Sequence, residues 1–131
     1  MRLDKFTTKF QEALSDAQSL AIGSDQQFIE PQHLLLALIN QDEGGTSSLL
    51  ARAGVNVPGL RKDLEAAIKR LPQVSGHGGE VSVGRDLGNL FNLTDKEAQK
   101  RGDQFIASEM FLLALCEDKN ETARLAKQHG L

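Results

Sequence analysis

Apolar residues recur three and four positions apart from the start of the chain. Phe6, Phe10, Ala13, Leu14, Ala17, Leu20 and Ala21 share one helical face, which predicts a first helix from Phe6 to Ala21. Asp4 or Thr7 is placed to cap it and Gly23 to end it. A second helix begins near Pro31, whose missing N–H costs nothing in a first turn. It runs through His33-Leu34-Leu35-Leu36-Ala37-Leu38-Ile39 and stops before Gly44-Gly45. Its apolar residues go all the way round, the mark of a helix packed on several sides. A third helix fits Ser47–Ala53, with Gly54 as its stop. A fourth starts after Asn56 with Pro58 in its first turn, carries Leu60, Leu64, Ala67, Ile68 and Leu71, and ends at Pro72. The fifth places Leu87, Leu90, Phe91, Thr94 and Ala98 on one stripe and ends at Gly102. The sixth is Ser108–Glu117, with Ser108 as a natural N-cap, and the seventh runs from about Thr122 to Gly130. No alternating run of strand length interrupts the pattern, so the expected fold is all-α.

An internal repeat organises these helices. Phe28–Leu38 lies over Phe105–Leu115 at an offset of 77, with six of eleven positions identical. The register extends outward: Phe10 meets Leu87, Leu14 meets Phe91 and Ala21 meets Ala98. Downstream, at an offset of 76, Leu49 meets Leu125 and Gly54 meets Gly130. Residues 1–131 therefore read as one domain, with a first repeat at 1–72, a Gly-rich connection at 73–84 and a second repeat at 85–131. Repeats of this kind bury a shared face against each other. The second copy has no counterpart to the fourth helix, as if its last helix were missing at the chain end. A near two-fold relation would put helices two and six at the centre, with Leu36 and Leu113 both almost fully buried.

Composition narrows the chemistry. The chain has 131 residues, 40% hydrophobic and 25% charged, with a formal charge of −3 and no Tyr or Trp. That is ordinary globular composition, and a mildly acidic chain is a poor candidate for gripping a phosphate backbone. The single Cys116 cannot form an internal disulfide, which favours a reducing, cytoplasmic setting. No apolar run reaches the roughly 20 residues of a membrane span, and the Met1–Lys5 start has no leader-like run.

No G-x-x-x-x-G-K-[ST] occurs, so no P-loop is present. Gly76-His77-Gly78-Gly79 reads as a flexible linker. His33, His77 and His129 do not pair at metal-ligand spacing with one another or with Cys116. His33 in an apolar helix reads as a hydrogen-bonded core histidine, His129 as exposed, and Cys116 as a small buried hydrophobe. No nucleophile elbow exists. Lys69-Arg70 and Lys100-Arg101 stand near helix C-termini, where cations complement the dipole. Leu93 lies about 100° from the centre of the fifth helix's stripe. It either flanks the core or presents an exposed apolar spot to a partner, close to Met110, whose thioether suits varied ligands. Surface recognition is what remains, with no catalytic site, no metal and no nucleotide.

Several blocks carry a specific resemblance. Arg2-Leu3-Asp4-Lys5-Phe6-Thr7, Asp16–Ala21, Phe28–Leu34, Arg70-Leu71-Pro72-Gln73-Val74 and Ala98–Ile106 resemble the N-terminal domain of ClpB-type protein disaggregases, within the Clp/AAA+ chaperone family. The likeness covers the whole chain. It implies a substrate-handling domain, mobile on a linker, ahead of two ATPase modules that lie outside these residues. The parent would be a cytoplasmic, heat-shock-related homohexameric ring using ATP. It would thread unfolded or aggregated polypeptide and work with a DnaK-type chaperone. The isolated domain would be a monomer with no cofactor of its own and no nucleic-acid or membrane partner. By position, Thr7, Asp103 and Glu109 match polar residues used in substrate handling, and Leu93 and Met110 match an apolar groove. Glu97 stands where a Leu is familiar. A plainer reading of the polar trio has Thr7 capping helix one, with Asp103 and Glu109 favouring the start of helix six. The alternative function is an adaptor-docking domain of a ClpA/ClpC-type protease partner.

Overall fold

Two helical hairpins carry most of the apolar surface. In the computed structural model, which describes residues 3–41, 45–74 and 81–131, α1 (Thr8–Gly23) packs on α2 (Pro31–Asn40), and α5 (Arg85–Lys100) packs in the same way on α6 (Ser108–Glu117). The shorter α3 (Thr46–Arg52) and the longer α4 (Val57–Arg70) complete the first repeat, and α7 (Glu121–Gln128) follows α6 and also touches α4. Side-chain caps fix three of the starts. Thr7 Oγ1 accepts from Phe10 N at 3.3 Å, Asn56 Oδ1 from Gly59 N at 3.2 Å, and Asn120 Oδ1 from Ala123 N at 2.8 Å. Each satisfies an N–H that the first turn leaves without an intrahelical partner. The cap of α6 is Ala107, with Ser108 inside the helix rather than capping it.

The repeats meet through an aromatic cluster and two short parallel crossings. Phe6 stacks on Phe10 with ring centroids 4.4 Å apart, and both meet Phe91 edge-on at 5.3 and 6.5 Å. Phe111 closes the cluster 5.9 Å from Phe10. Beside it, Phe6 bridges Ile106, and β1 (Phe28–Ile29) pairs in parallel with β2 (Ser82–Val83), Ile29 opposite Val83. Shifting Phe6 forward and Ile106 back by 77 turns the first crossing into the second. The repeat is thus visible in the backbone pairing as well as in the sequence. The fold is all-α as expected, the only strands among the described residues being these two-residue pairs, and β2 falls in the segment 73–84 read as a linker. Residues 75–80 of that segment, with His77, lie outside the described residues.

The repeats also differ. Every residue of α2 from Pro31 to Ile39 is buried, because α4 lays Leu60, Leu64 and Ile68 over the face that α1 leaves open. Leu36 is 4% exposed. Among the described residues no such cover lies on α6, and Leu113 is 36% exposed. The expectation that both leucines are sealed holds for Leu36 and fails for Leu113. For the same reason Cys116 is exposed rather than buried.

The ends of α1 and α5 show one local conflict. Gly102 follows α5 with φ 69°, and its repeat counterpart Asp25 has φ 56°, the one non-glycine among the described residues with positive φ. Gly23, expected to stop α1, stays within the helix. The left-handed turn falls two residues later, on a side chain that carries a steric cost glycine lacks.

Candidate functional site

Thr7 and the start of α6 come together although 99 positions separate Thr7 from Ile106. Thr7 N donates to Ile106 O at 3.0 Å, and Ile106 N donates to Lys5 O at 2.7 Å. This fixes the start of α1 beside the connection that enters α6. Thr7 is half-buried and its hydroxyl is engaged as the α1 cap. Asp103 is exposed just after the left-handed Gly102, its N–H donating to Ala98 O at 3.0 Å. Glu109 is exposed in the first turn of α6. The three polar candidates thus surround one end of the α5–α6 hairpin. They share a region rather than a hydrogen-bonded cluster, and both carboxylates face solvent.

Leu93 and Met110 are half-buried, each packed against the core from its own helix. The two readings of Leu93 merge: part of it flanks the core and part reaches the surface. Along α6 the apolar strip continues one turn past Met110 to Leu113 and on to Cys116. The run Met110–Cys116 is apolar throughout, so its sequence does not show which side stays open and does not single out Leu113. Phe105, 61% exposed, adds apolar surface at the entry to α6.

Glu97 behaves differently from a free acidic rim. It is buried on α5, with its carboxylate oxygens 3.8 Å from Lys100 Nζ and 3.8 Å from Arg101 Nε. Its charge is therefore partly offset by cations of its own helix end. In the first repeat the equivalent positions line an open depression between α1 and α2, formed by Asp16, Ser19, Leu20, Ala37 and Asn40. The acidic and apolar positions are swapped there, Asp16 standing for Leu93 and Leu20 for Glu97.

The titratable residues elsewhere serve the scaffold. His33 is fully buried; its Nδ1 accepts from Glu30 N–H at 2.8 Å, so Nε2 carries the proton and donates to Gln26 Oε1 at 2.6 Å. Gln26 Nε2 passes the chain on to Ile68 O at 2.6 Å, tying α4 to α2. Burial lowers the pKa of His33 to about 4, so it is neutral with both nitrogens occupied, and unsuited to be a base or a ligand. Glu30 Oε1 is buried without a partner among the described residues, against Gly84, where a side chain would collide with it. Burial, with a contribution from Asp86, raises its pKa. His129 is not exposed as expected: its side chain is 17% accessible and lies 2.7 Å from Asp63 Oδ2, while its carbonyl accepts from Asn56 N at 2.8 Å. Partial burial raises the Cys116 pKa and Glu117 adds to this, while Lys127 opposes both. The thiol is thus held protonated, not activated. Among the described residues no three His, Cys, Asp or Glu side chains gather as a metal site, and no helix is long and apolar enough to cross a membrane.

Comparison with known proteins matches this geometry. The family model described as the Clp repeat (R) N-terminal domain matches residues 5–129. Chaperone protein ClpB of Vibrio cholerae is 53% identical over 131 residues, all of this chain and 15% of that protein. ClpB of Pseudomonas putida is 43% identical over the same span and share. The Hsp104 N-terminal domain of Candida albicans has the same fold, with a TM-score of 0.83 at 22% identity over 97% of this chain and 83% of that one. The chain spans about 15% of the length of the ClpB relatives it matches.

Proposed function

The chain belongs to the Clp repeat N-terminal domain family, as the N-terminal domain of a ClpB/Hsp104-type chaperone, and on that premise we propose that it binds unfolded or aggregated polypeptide weakly and hands it to an ATPase ring. The observation that carries this is the partly open apolar surface of the second repeat, Leu93 and Met110, with Asp103 and Glu109 exposed at its end. Large apolar side chains, which aggregation exposes, fill such a surface; exposed carboxylates favour segments that also carry Lys or Arg. Affinity is low because a mobile chain loses conformational freedom on docking, which suits a machine that must release its cargo. In this reading ATP binding and hydrolysis belong to the remainder of a hexameric parent, which acts in the cytoplasm with a DnaK-type chaperone, and this domain contributes recognition alone.

The test is a titration of a permanently unfolded model protein into the domain, followed by backbone NMR. Shifts should cluster on α5 and α6 around Leu93 and Met110 and weaken as salt rises. Leu93→Ser should reduce them. Shifts confined to the first repeat, or unchanged binding by Leu93→Ser, would place the site elsewhere. Tight binding to one folded adaptor with none to unfolded chains would point to the adaptor-docking alternative.

A further inference from the structure

Phe28, Glu30, Leu71, Pro72 and Val74 line a partly enclosed pocket of about 110 Å³ between β1 and the segment that follows α4. Small-molecule sites take roughly 300–1,000 Å³; this one has room for a single side chain. Val74 N–H donates to Asp25 O at 2.7 Å, which holds that segment beside β1. The apolar walls are unfinished, with Phe28 49% and Val74 38% exposed. Glu30 serves the scaffold through its backbone, whose N–H bonds His33 Nδ1, and its side chain is left over. Glu30 Oε1 is buried without a hydrogen-bond partner among the described residues. The charge that acts on this carboxyl is a second carboxylate, Asp86 in the first turn of α5. Desolvation and like charge both disfavour the carboxylate, and a cation offsets both.

We propose that this pocket receives one Lys or Arg side chain of an extended polypeptide, its stem against Phe28, Leu71 and Val74 and its cationic head on the carboxylate of Glu30. The chemistry selects that occupant. A purely apolar side chain would seal the carboxylate in without a partner, and an anion would be repelled by both Glu30 and Asp86. Lys and Arg bury their methylenes on apolar surface and carry the charge that the carboxylate lacks. Phe28 adds a ring on which a guanidinium can stack. The second repeat does not repeat this chemistry, because Ala107 stands in place of Glu30. The pocket therefore adds a basic-residue subsite in the first repeat to the client-binding reading, without depending on the α5–α6 surface.

The probes are an acetylated and amidated Ala-Leu-Arg-Leu-Ala peptide and the same peptide with citrulline for arginine, which keeps the shape and loses the charge. Each is titrated into the domain and followed by backbone NMR. The arginine peptide should shift the amides of Gln26, Gln27, Phe28, Leu71 and Val74 and bind there at least about tenfold tighter than the citrulline peptide. The side-chain carboxyl carbon signal of Glu30 should titrate at lower pH with the arginine peptide bound and at its original pH with the citrulline peptide, a difference that a merely structural carboxylate would not show. Glu30→Gln should abolish the preference for arginine. Phe28→Ala removes one wall at an exposed position, so it should weaken both peptides several-fold and leave the melting temperature nearly unchanged; it keeps the test open if Glu30→Gln unfolds the domain. Equal affinity of the two peptides, an arginine preference that survives Glu30→Gln, or an unmoved Glu30 titration would overturn the proposal. So would shifts confined to α5 and α6, which would assign the basic side chain to Asp103 and Glu109. Loss of the α5–α6 shifts with the unfolded model protein, while the pocket still binds the arginine peptide, would count against the second-repeat surface and not against the pocket.

Discussion

The buried His33 gives the domain a pH dependence whose sign and size follow from its surroundings. The folded state holds the ring neutral, with its pKa near 4, while the unfolded chain titrates near the ordinary value of about 6.5. Between those values the unfolded state binds the extra proton, so stability falls as pH falls through that window. The full contribution is about 3 kcal/mol, and the part lost between pH 7 and pH 5 is about 2 kcal/mol. Glu30, whose carboxyl is raised by burial, acts in the opposite sense: the folded state takes up its proton first, so its term favours folding at low pH and fades as pH rises. Comparing the parent with His33→Met separates the two, because Glu30 is present in both. Met is the residue that the second repeat carries at this position, Met110. The variant will be less stable at pH 7, since Glu30 N–H and Gln26 Oε1 lose their partner, but its stability should lack the parent's fall of about 2 kcal/mol between pH 7 and pH 5. Urea unfolding followed by circular dichroism at pH 7, 6 and 5 makes the measurement. An equal slope in both proteins would refute the assignment of a neutral, doubly bonded ring.

Leu36→Ala should cost about 2–5 kcal/mol, because it removes a sealed side chain and leaves a cavity, whereas Leu113→Ala at the equivalent position should cost less than about 1 kcal/mol; equal losses in urea unfolding would contradict the exposure of α6. Asp25→Gly should raise stability by up to about 1 kcal/mol by relieving a left-handed side chain, and Gly102→Val should lower it by at least that much, both read from the urea midpoint. Glu97→Leu should tighten binding of an unfolded model protein and flatten its salt dependence. Stability should hold or rise, because Leu leaves no charge to desolvate at this buried position and the lost ion pairs to exposed Lys100 and Arg101 are long; a weaker complex in the NMR titration would show that the carboxylate itself contacts the client.

Helices, their order and the repeat were legible along the chain because their signals are local. An apolar residue every three or four positions commits a segment to a helix whatever it later packs on, and Thr7 caps α1 through a bond three residues long. Identity between Phe28–Leu38 and Phe105–Leu115 needs no third dimension to be seen. The candidate residues rest on the sequence alone: Leu93 stands off its stripe, and the resemblance to a family implies Thr7, Asp103, Glu109 and Met110. Exposure could not be read in this way. Leu36 and Leu113 sit in nearly identical sequence, and only the presence of α4 over one and not the other makes them core and surface. Cys116 follows Leu113 into the open for the same reason, and Glu97, a charged residue where a Leu is familiar, is buried within reach of Lys100 and Arg101. The two-residue strands are too short to carry a period and exist because distant segments cross, Phe6 at Ile106 and Ile29 at Val83. Periodicity specifies which residues can share a face; what covers that face is decided by elements far away in the chain, and in this domain that cover separates structural leucine from surface available for binding.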